Sequence, residues 1–109
     1  MTITETQQGN AKVVGVQGRL DAVTSPEFEK KLAAIVDDGC RQLVIDCSAL
    51  DYISSAGLRV FLAIAKRLKN VQGTIVVAAA QTQVREIFDI AGFAAILPIK
   101  STVADAVQG

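Results

Sequence analysis

The stretch that decides the fold is "QLVIDCSALDYISSAGLRVFLAIAKRLK", residues 42–69. It opens with a short apolar run at residues 42–47, which is typical of a strand buried on both faces. It ends with a run from about residue 55 to residue 69, in which apolar side chains recur at helical spacing. A buried strand followed at once by an amphipathic helix is the basic unit of an α/β protein.

The helix predicted for residues 55–69 has one inward face and a less buried flank. We expect the inward face to hold Leu58, Phe61, Leu62, Ala65 and Leu68, and the flank to hold Val60 and Ile64. Basic side chains gather in its last turn, where they favour the negative end of the helix dipole.

Upstream, residues 3–8 and 12–18 are predicted strands separated by the turn dipeptide at residues 9 and 10, which indicates an antiparallel hairpin. A helix follows in "TSPEFEKKLAAIVDDG", with Pro26 in its first turn. We expect Ser25 to cap this helix and Gly39 to end it. Its predicted buried stripe consists of Phe28, Leu32, Ile35 and Val36.

Downstream, residues 73–80 are a second predicted interior strand, and a helix follows in "TQVREIFDIAGF". Gly92 is its predicted stop. We expect its inward residues to be Val84, Ile87, Phe88 and Ala91. Residues 95–99 are predicted to form a last short strand, and residues 101–108 a closing helix capped by Ser101.

This order of elements predicts an α/β fold in a single domain spanning residues 1–109. Strands that alternate with helices form parallel sheets through right-handed crossovers. We therefore expect a mixed, mostly parallel sheet of about four or five strands, with the N-terminal antiparallel hairpin and about four helices packed on it.

The charges exclude several classes of partner. The 11 basic and 11 acidic residues cancel, so no net field draws the chain to nucleic acid or to an anionic membrane. The apolar runs are shorter than the roughly 20 residues of a membrane-spanning helix, and the N-terminus lacks the pattern of a signal peptide. We expect a cytoplasmic protein without membrane insertion.

The residues of metal and hydrolase chemistry are scarce. The chain has no histidine and only Cys40 and Cys47, so we expect no metal site, and the usual histidine-based hydrolase triads are excluded. The two cysteines are predicted to be ordinary, semi-buried reduced thiols. No phosphate-binding or dinucleotide-binding motif occurs. We expect no cofactor and no catalytic residue.

The adjacent serines in "ISSAGL", residues 53–58, have two interpretations. Ser54 is predicted to cap the helix by accepting a hydrogen bond from one of its free amides, which places Ser55 in the first turn. The same helix start would also tolerate an added phosphate well. Either a plain cap or a phosphorylation switch is compatible with this chemistry.

Three segments together resemble a known family. Residues 44–69 are similar to the signature segment of the STAS domain, which occurs in bacterial anti-sigma-factor antagonists and also in sulfate transporters. "VQGRLDAVTSPEFEKKL" resembles the family's Gly-x-Leu-Asp segment, and "VREIFDIAGF" resembles the end of its third helix. The resemblance covers nearly the whole chain.

The resemblance implies a phosphorylation site. In the family, a serine or threonine in a "DSSGL"-like stretch is phosphorylated by a partner that is both an anti-sigma factor and a serine kinase. Matching on Gly57 and Leu58 places Ser55 at the acceptor position, with Ser54 as the second choice. Ser54 stands where many members have aspartate, and Ala56 stands where many have a second hydroxyl.

The resemblance also implies a partner-switching function. The unphosphorylated chain would bind the anti-sigma kinase and free a sigma factor, phosphorylation would release the kinase, and a phosphatase would reset the switch. The predicted partner-binding residues are Asp21, Asp46, Ser54, Ala56, Gly57 and Arg59. The alternative within the family is a regulatory subunit of a transporter or another signalling assembly.

Asp21, Asp46 and Arg59 also have local interpretations. Asp21 is suited to a turn or pre-helix hydrogen bond, and Asp46 to the amides of a following loop, including those near the Ser54 helix start. Arg59 lies four residues after Ser55 and would pair with a phosphate or with a nearby carboxylate. A different class of function, a small enzyme or ligand-binding domain using Asp21 and Asp46 as acid and base, is the last alternative.

Overall fold

The computed structural model describes residues 1–108, so Gly109, the last residue of the predicted domain, lies outside the described residues. The strands are β1 Thr2–Gln8, β2 Ala11–Leu20, β3 Gln42–Asp46, β4 Leu50–Ile53, β5 Thr74–Ala78 and β6 Ile99–Lys100. The helices are α1 Ser25–Asp37, α2 Ser55–Asn70, α3 Thr82–Ile90 and α4 Val103–Gln108, with a 3-10 turn at Phe93–Ala95.

The strands form one mixed sheet in the order β1-β2-β3-β5-β6, with β4 paired to the end of β2. β1 and β2 form the antiparallel hairpin, and all other strand pairs are parallel. The predicted fold class is confirmed. The described residues contain six strands, one more than the upper predicted number, because β4 was not predicted as a strand.

Helices cover the sheet unequally. α1, α2 and α3 pack on one face over a core that includes Val14, Ile45 and Val77, whereas α4 covers part of the opposite face around Val44 and Val76. Successive residues of a strand point to opposite faces, which explains why interior strands are apolar throughout. The face that carries α2 is the one that positions the candidate site.

A chain of phenylalanine rings joins the three helices on that face. The ring centroids of Phe28 on α1 and Phe61 on α2 are 5.8 Å apart, and Phe61 meets Phe88 on α3 edge-on at 5.3 Å. Phe88 in turn lies 5.9 Å from Phe93. Aromatic pairs at these spacings each contribute about 0.5–1.5 kcal/mol beyond burial. The rings therefore fix α2 between its neighbours.

β4 is a strand that could not be predicted from its sequence pattern. Only its first and last residues, Leu50 and Ile53, are buried, while the two residues between them are exposed. This four-residue pattern lacks the alternation by which strands are recognised. The chain reaches β4 from β3 through a short step at residues 47–49, in which the Leu50 amide bonds the carbonyl of Cys47 at 3.1 Å.

Two predicted helix caps are wrong. Ser25 is the first residue of α1 rather than its cap, because Asp21 already accepts hydrogen bonds from the preceding amides of Val23 and Thr24. At α4, the Asp105 amide bonds Thr102 Oγ1 at 3.1 Å, so Thr102 takes the role expected of Ser101. The predicted stops at Gly39 and Gly92 are confirmed, since both have positive φ immediately after the helix ends.

The predicted inward face of α2 is rotated relative to the structure. Val60 and Ile64 are fully buried, whereas Leu58, Leu62 and Ala65 are only partly buried. The reason is that α2 is covered by β-sheet and α1 together, which shifts the buried side towards the predicted flank.

The end of the chain also differs from the sequence prediction. Ala91, expected to face inward, is exposed. The last strand is Ile99–Lys100, later and shorter than the predicted 95–99. Pro98 lacks a backbone amide, and the chain before it is held in the 3-10 turn instead. The predicted burial of Phe28, Leu32, Ile35, Val36, Val84 and Phe88 is confirmed.

Both cysteines are free thiols, as predicted. Cys40 is half-buried, as expected, whereas Cys47 is fully buried because it follows directly on the interior strand β3. Burial raises the pKa of the Cys47 thiol far above its usual value. Among residues 1–108, no helix combines the length and the apolar character needed to cross a membrane.

Candidate functional site

The start of α2 is closed by Ser54, as predicted. Ser54 has extended backbone angles, and its Oγ accepts a hydrogen bond from the Gly57 amide at 3.3 Å. Its carbonyl accepts from the Leu58 amide at 2.9 Å, which begins the helix ladder. Ser54 thereby uses its side chain within the protein.

Ser55 is the first residue of α2 and is exposed to solvent. A helix start leaves its first amides without intrahelical acceptors, and the Ser54 side chain serves only that of Gly57. The amides of Ser55 and Ala56 therefore remain free to donate hydrogen bonds, and they lie at the positive end of the helix dipole. A hydroxyl here is accessible for modification, and an added anion would be tolerated.

Gly57 is required where α2 meets the ends of β2 and β4. A Cβ on this residue would lie 2.7 Å from Ile53 Cγ1 and 3.0 Å from Leu20 Cβ. Real carbon atoms do not approach so closely, so a side chain would push the helix start away from the sheet. The absence of a side chain at residue 57 thus sets the position of the two serines.

Asp21 organises the loop between β2 and α1. Its Oδ1 accepts hydrogen bonds from the amides of Val23 at 2.9 Å and Thr24 at 3.0 Å, which confirms the predicted turn role. These bonds, led by that from Thr24, hold the pKa of the Asp21 carboxyl below its usual value. Thr24 Oγ1 also donates to the carbonyl of Arg19 at 2.7 Å. The loop is therefore a closed hydrogen-bonded turn.

Arg19 and Tyr52 make a contact at the protein surface that was not predicted from the sequence. They are paired across β2 and β4, and the guanidinium carbon lies 4.3 Å from the centre of the tyrosine ring. This contact is a cation–π interaction, and Tyr52 stays about one third exposed, at 37%. This contact could not be predicted, because only the pairing of β4 with β2 brings the two side chains together and β4 was not predicted as a strand.

Arg59 lies one turn after Ser55 and is exposed. The ion pairs found within residues 1–108 join Glu5 to Lys12 and Lys31, and Arg67 to Asp37. Arg59 takes part in none of them. Its guanidinium is therefore available to a phosphate or to a partner's carboxylate.

Asp46 lies apart from the start of α2 and from the Asp21 loop. It shares a face of β3 with Val44, the side of the sheet that α4 covers, and its Oδ1 accepts from the Ser48 amide at 3.0 Å. The prediction that it reaches a loop amide is confirmed. The prediction that it serves amides near the Ser54 helix start is wrong, because its side chain lies on the α4 side of the sheet and accepts from the Ser48 amide instead.

The structure also separates Asp46 from Asp21. Asp46 is opposite Gly15 on β2, and Asp21 follows six residues later along an extended chain, roughly 15–20 Å away at the rise of a strand. Acid and base residues must both reach one reacting group. The arrangement argues against an enzyme that uses these two carboxylates.

Comparison with known proteins identifies the family. A family model described as "STAS domain" matches residues 2–106, so the chain belongs to the STAS domain family. A Bordetella bronchiseptica relative, BtrV, named as a candidate anti-sigma factor antagonist, is 46% identical over 87 residues, which are 80% of this chain and 75% of the relative.

Solved structures show the same fold. A crystal structure of an anti-sigma factor antagonist from Mycobacterium paratuberculosis has 31% sequence identity and a TM-score of 0.90, covering 98% of this chain and 91% of that chain. The Bacillus cell fate determinant SpoIIAA in its phosphorylated form has 16% identity and a TM-score of 0.75, covering 98% and 97%. At that identity SpoIIAA supports the fold alone.

Proposed function

We propose that this chain is an anti-sigma factor antagonist whose binding to an anti-sigma factor with serine kinase activity is switched by phosphorylation of Ser55. The observation that carries the proposal is the division of roles at the start of α2, where Ser54 makes the cap and Ser55 is exposed. The names of BtrV and the Mycobacterium paratuberculosis relative support the antagonist role.

The unphosphorylated chain would bind the kinase through a switch surface formed by Asp21, Ser54, Ser55, Ala56 and Arg59. Gly57, which was predicted to contact the partner, is buried against the sheet and supports this surface from below. Its rigidity favours binding, because the Ser54 cap and the Asp21 turn hold the backbone before the partner arrives. Asp46 is left outside this surface, since its side chain lies on the α4 side of the sheet.

Phosphorylation would modify a single atom, the side-chain oxygen of Ser55. The kinase would transfer the γ-phosphoryl group of ATP to Ser55 Oγ, forming an ester bond, releasing ADP and taking up the hydroxyl proton. The product adds about 1.5 to 2 negative charges to the switch surface. The free amides at the helix start would stabilise this charge within the chain, while bulk and repulsion would weaken the kinase interface.

A separate phosphatase would hydrolyse the ester with water, release inorganic phosphate and restore the Ser55 hydroxyl. In this cycle the chain is a substrate and a binding partner, and none of its own residues acts as a catalyst. ATP, the kinase and the sigma factor share the cytoplasm, so we place the chain there as well.

The test is to incubate the chain with the cognate kinase and ATP, and to map the phosphate by mass spectrometry in Ser54→Ala, Ser55→Ala and Ser48→Ala. Ser48 is an exposed serine outside the switch surface and serves as the matched control. We expect Ser55→Ala alone to lose the phosphate. Phosphate that survives in Ser55→Ala but disappears in Ser54→Ala would overturn the assignment.

A pull-down with the unphosphorylated chain tests the partner separately. We expect it to recover a protein with both anti-sigma and kinase activity. Recovery of transporter subunits without such a kinase would favour the regulatory-subunit alternative instead.

A further inference from the structure

β1 forms one edge of the sheet, and no strand within residues 1–108 pairs with its outer side. It is seven residues long, and all of its residues except Ile3 are exposed. An edge strand presents a row of backbone amides and carbonyls that have no partner in the sheet. Besides water, only another extended strand satisfies such a row, so the backbone itself specifies the kind of partner that this edge fits.

The two edges of the sheet differ in their protection against such a partner. β6, at the other edge, is two residues long, follows directly on Pro98 and contains Lys100. Short length, proline and lysine are devices by which proteins block pairing between sheet edges. Thr2–Gln8 contains neither proline nor lysine, and its register with β2 runs without a break. β1 is therefore a long and regular edge that lacks the protection of β6.

The single charge on β1 is balanced by lysines of the same chain. The carboxylate of Glu5 lies 3.0 Å from Lys31 Nζ on α1 and 3.7 Å from Lys12 Nζ on β2. The Glu5 side chain is therefore held on the α1 face of the sheet. A strand that approaches the edge does not meet an unpaired charge there.

The other face of β1 carries a symmetric pattern of threonines. Successive strand residues alternate between faces, so Thr2, Thr4 and Thr6 share the face away from Glu5 and α1. The pattern reads the same in both directions about Thr4. The side chain of Thr4 leans over β2, where its Oγ1 lies 2.5 Å from the position that a Cβ on Gly15 would take. A second strand can therefore approach the centre of the pattern closely.

We propose that two copies of this chain associate through β1, with the two strands antiparallel about a two-fold axis at Thr4. In this register Thr4 is opposite Thr4 of the second copy, and Thr2 is opposite Thr6. Cross-strand threonine pairs stabilise a sheet. Glu5 is opposite Ile3, so the two Glu5 carboxylates are diagonal neighbours, and each is already paired with lysines of its own chain.

The alternative registers are less favourable. An axis at Glu5 would place the two Glu5 carboxylates directly opposite each other, and like charges in that position destabilise a sheet. An axis at Thr6 would pair Thr4 with Gln8 and leave only one pair of threonines. An axis at Ile3 would pair only residues 2–4 of the strand. A second copy is favoured over an unrelated strand because the threonine pattern of β1 matches itself.

The association is independent of the proposed function. β1 contains none of the residues of the switch surface, so each copy keeps its own. Pairing through one strand of each copy buries a small area, so we expect a weak, reversible dimer with a dissociation constant of about 10 µM to 1 mM.

The first test is analytical ultracentrifugation of the full, unphosphorylated chain across that range of concentrations. We expect a monomer at the low end and a reversible monomer–dimer equilibrium towards the high end. A chain that stays monomeric throughout, or that forms larger assemblies in place of a dimer, would overturn the proposal.

The second test changes the residue on the axis. Thr4→Lys and Thr4→Glu each place like charges directly opposite each other, and we expect either change to weaken dimerisation about fivefold or more. An equimolar mixture of the two variants should associate at least as well as the parent chain, because opposite charges then meet. Misfolded variants would not regain association on mixing. Unchanged dimerisation of each variant alone, or no association in the mixture, would contradict the two-fold axis at Thr4.

The third test measures the register by cross-linking in a Cys40→Ser background. Directly opposite residues of an antiparallel pair have Cα atoms about 4.5–5.5 Å apart, which a disulfide can span. With copper phenanthroline as the oxidant, we expect Thr4→Cys to form a covalent dimer at least about tenfold faster than Gln8→Cys. Gln8 is the matched control, because it is exposed on the same face of the same strand but lies far from the axis. Equal rates for the two variants would overturn the register.

Discussion

The amide of Ser54 donates a 2.8 Å hydrogen bond to the carbonyl oxygen of Leu20, the residue before Asp21. This bond joins the start of α2 to the end of β2, where the Asp21 turn begins. It is reinforced by the parallel pairing of Leu20 with Ile53. The serine cap and the Asp21 turn therefore form one rigid unit, although 32 residues lie between Asp21 and Ser54 in the chain.

Gly57→Ala tests the close contact that positions this unit. The added Cβ would meet Ile53 and Leu20 at 2.7 and 3.0 Å. Overpacking costs about 1–3 kcal/mol, and the better helix propensity of alanine returns up to about 1 kcal/mol. We expect a net loss of about 1–2 kcal/mol in the free energy of unfolding, measured with urea. A variant more stable than the parent chain would show that the contact is not restrictive.

Ser54→Ala and Ser55→Ala form a matched pair that separates the cap from its neighbour. Ser54→Ala removes the acceptor of the Gly57 amide, and loss of such a cap costs about 1 kcal/mol. Ser55→Ala changes an exposed residue, so its cost should stay below about 0.5 kcal/mol. Thermal or urea unfolding measures both. Equal costs, or a larger cost for Ser55→Ala, would contradict the assigned cap.

Asp21→Asn tests the electrostatic part of the turn. Hydrogen bonds from Thr24 and Val23 lower the pKa of Asp21 in the folded state, so the ionised carboxylate stabilises the fold above the unfolded pKa of about 3.9. That contribution is lost as the pH falls through the lowered folded-state pKa. We expect the parent chain to exceed Asp21→Asn in stability near neutral pH, with the difference shrinking below about pH 4.

The check for Asp21 is a series of unfolding measurements on both chains across this acid range, together with a carbon NMR titration of the carboxyl group. Taking the difference between the two chains cancels the carboxylates that they share. A difference that grows as the pH falls, or a titration at or above the usual aspartate pKa, would contradict the account.

The two thiols should react at very different rates. Cys47 is fully buried and its pKa is raised, whereas Cys40 is half-buried. Only thiolate reacts with disulfide reagents, so we expect one fast thiol per chain near pH 8 and the second only after unfolding. Cys40→Ser should abolish the fast phase. A fast phase that persists in Cys40→Ser would place Cys47 nearer the surface than the structure has it.

The alternation of strands and helices was readable from the sequence because interior strands and amphipathic helices have distinct apolar periods. Val14, Ile45 and Val77 lie in short apolar runs of the kind that is typical of buried strands. The Ser54 cap was also predictable, because a serine directly before an apolar helix commonly caps it. Local chemistry therefore sufficed for most of the fold.

Features that depend on distant contacts were not predictable in this way. β4 gains its strand character from pairing with β2, and the Arg19–Tyr52 contact exists only through that pairing. Ser25 was taken for a cap because nothing nearby in the sequence shows that Asp21 binds the preceding amides. The side of the sheet on which Asp46 lies likewise follows from register, which a single sequence does not specify.

The central claim is that phosphate on Ser55 weakens the interface with the anti-sigma kinase. The direct measurement is isothermal calorimetry of the kinase with the unphosphorylated chain, the Ser55-phosphorylated chain and Ser55→Asp, at fixed salt. We expect phosphorylation to weaken binding by at least about tenfold, or 1.4 kcal/mol, with Ser55→Asp weakening it in the same direction. Equal affinity of the phosphorylated and unphosphorylated chains would contradict the account.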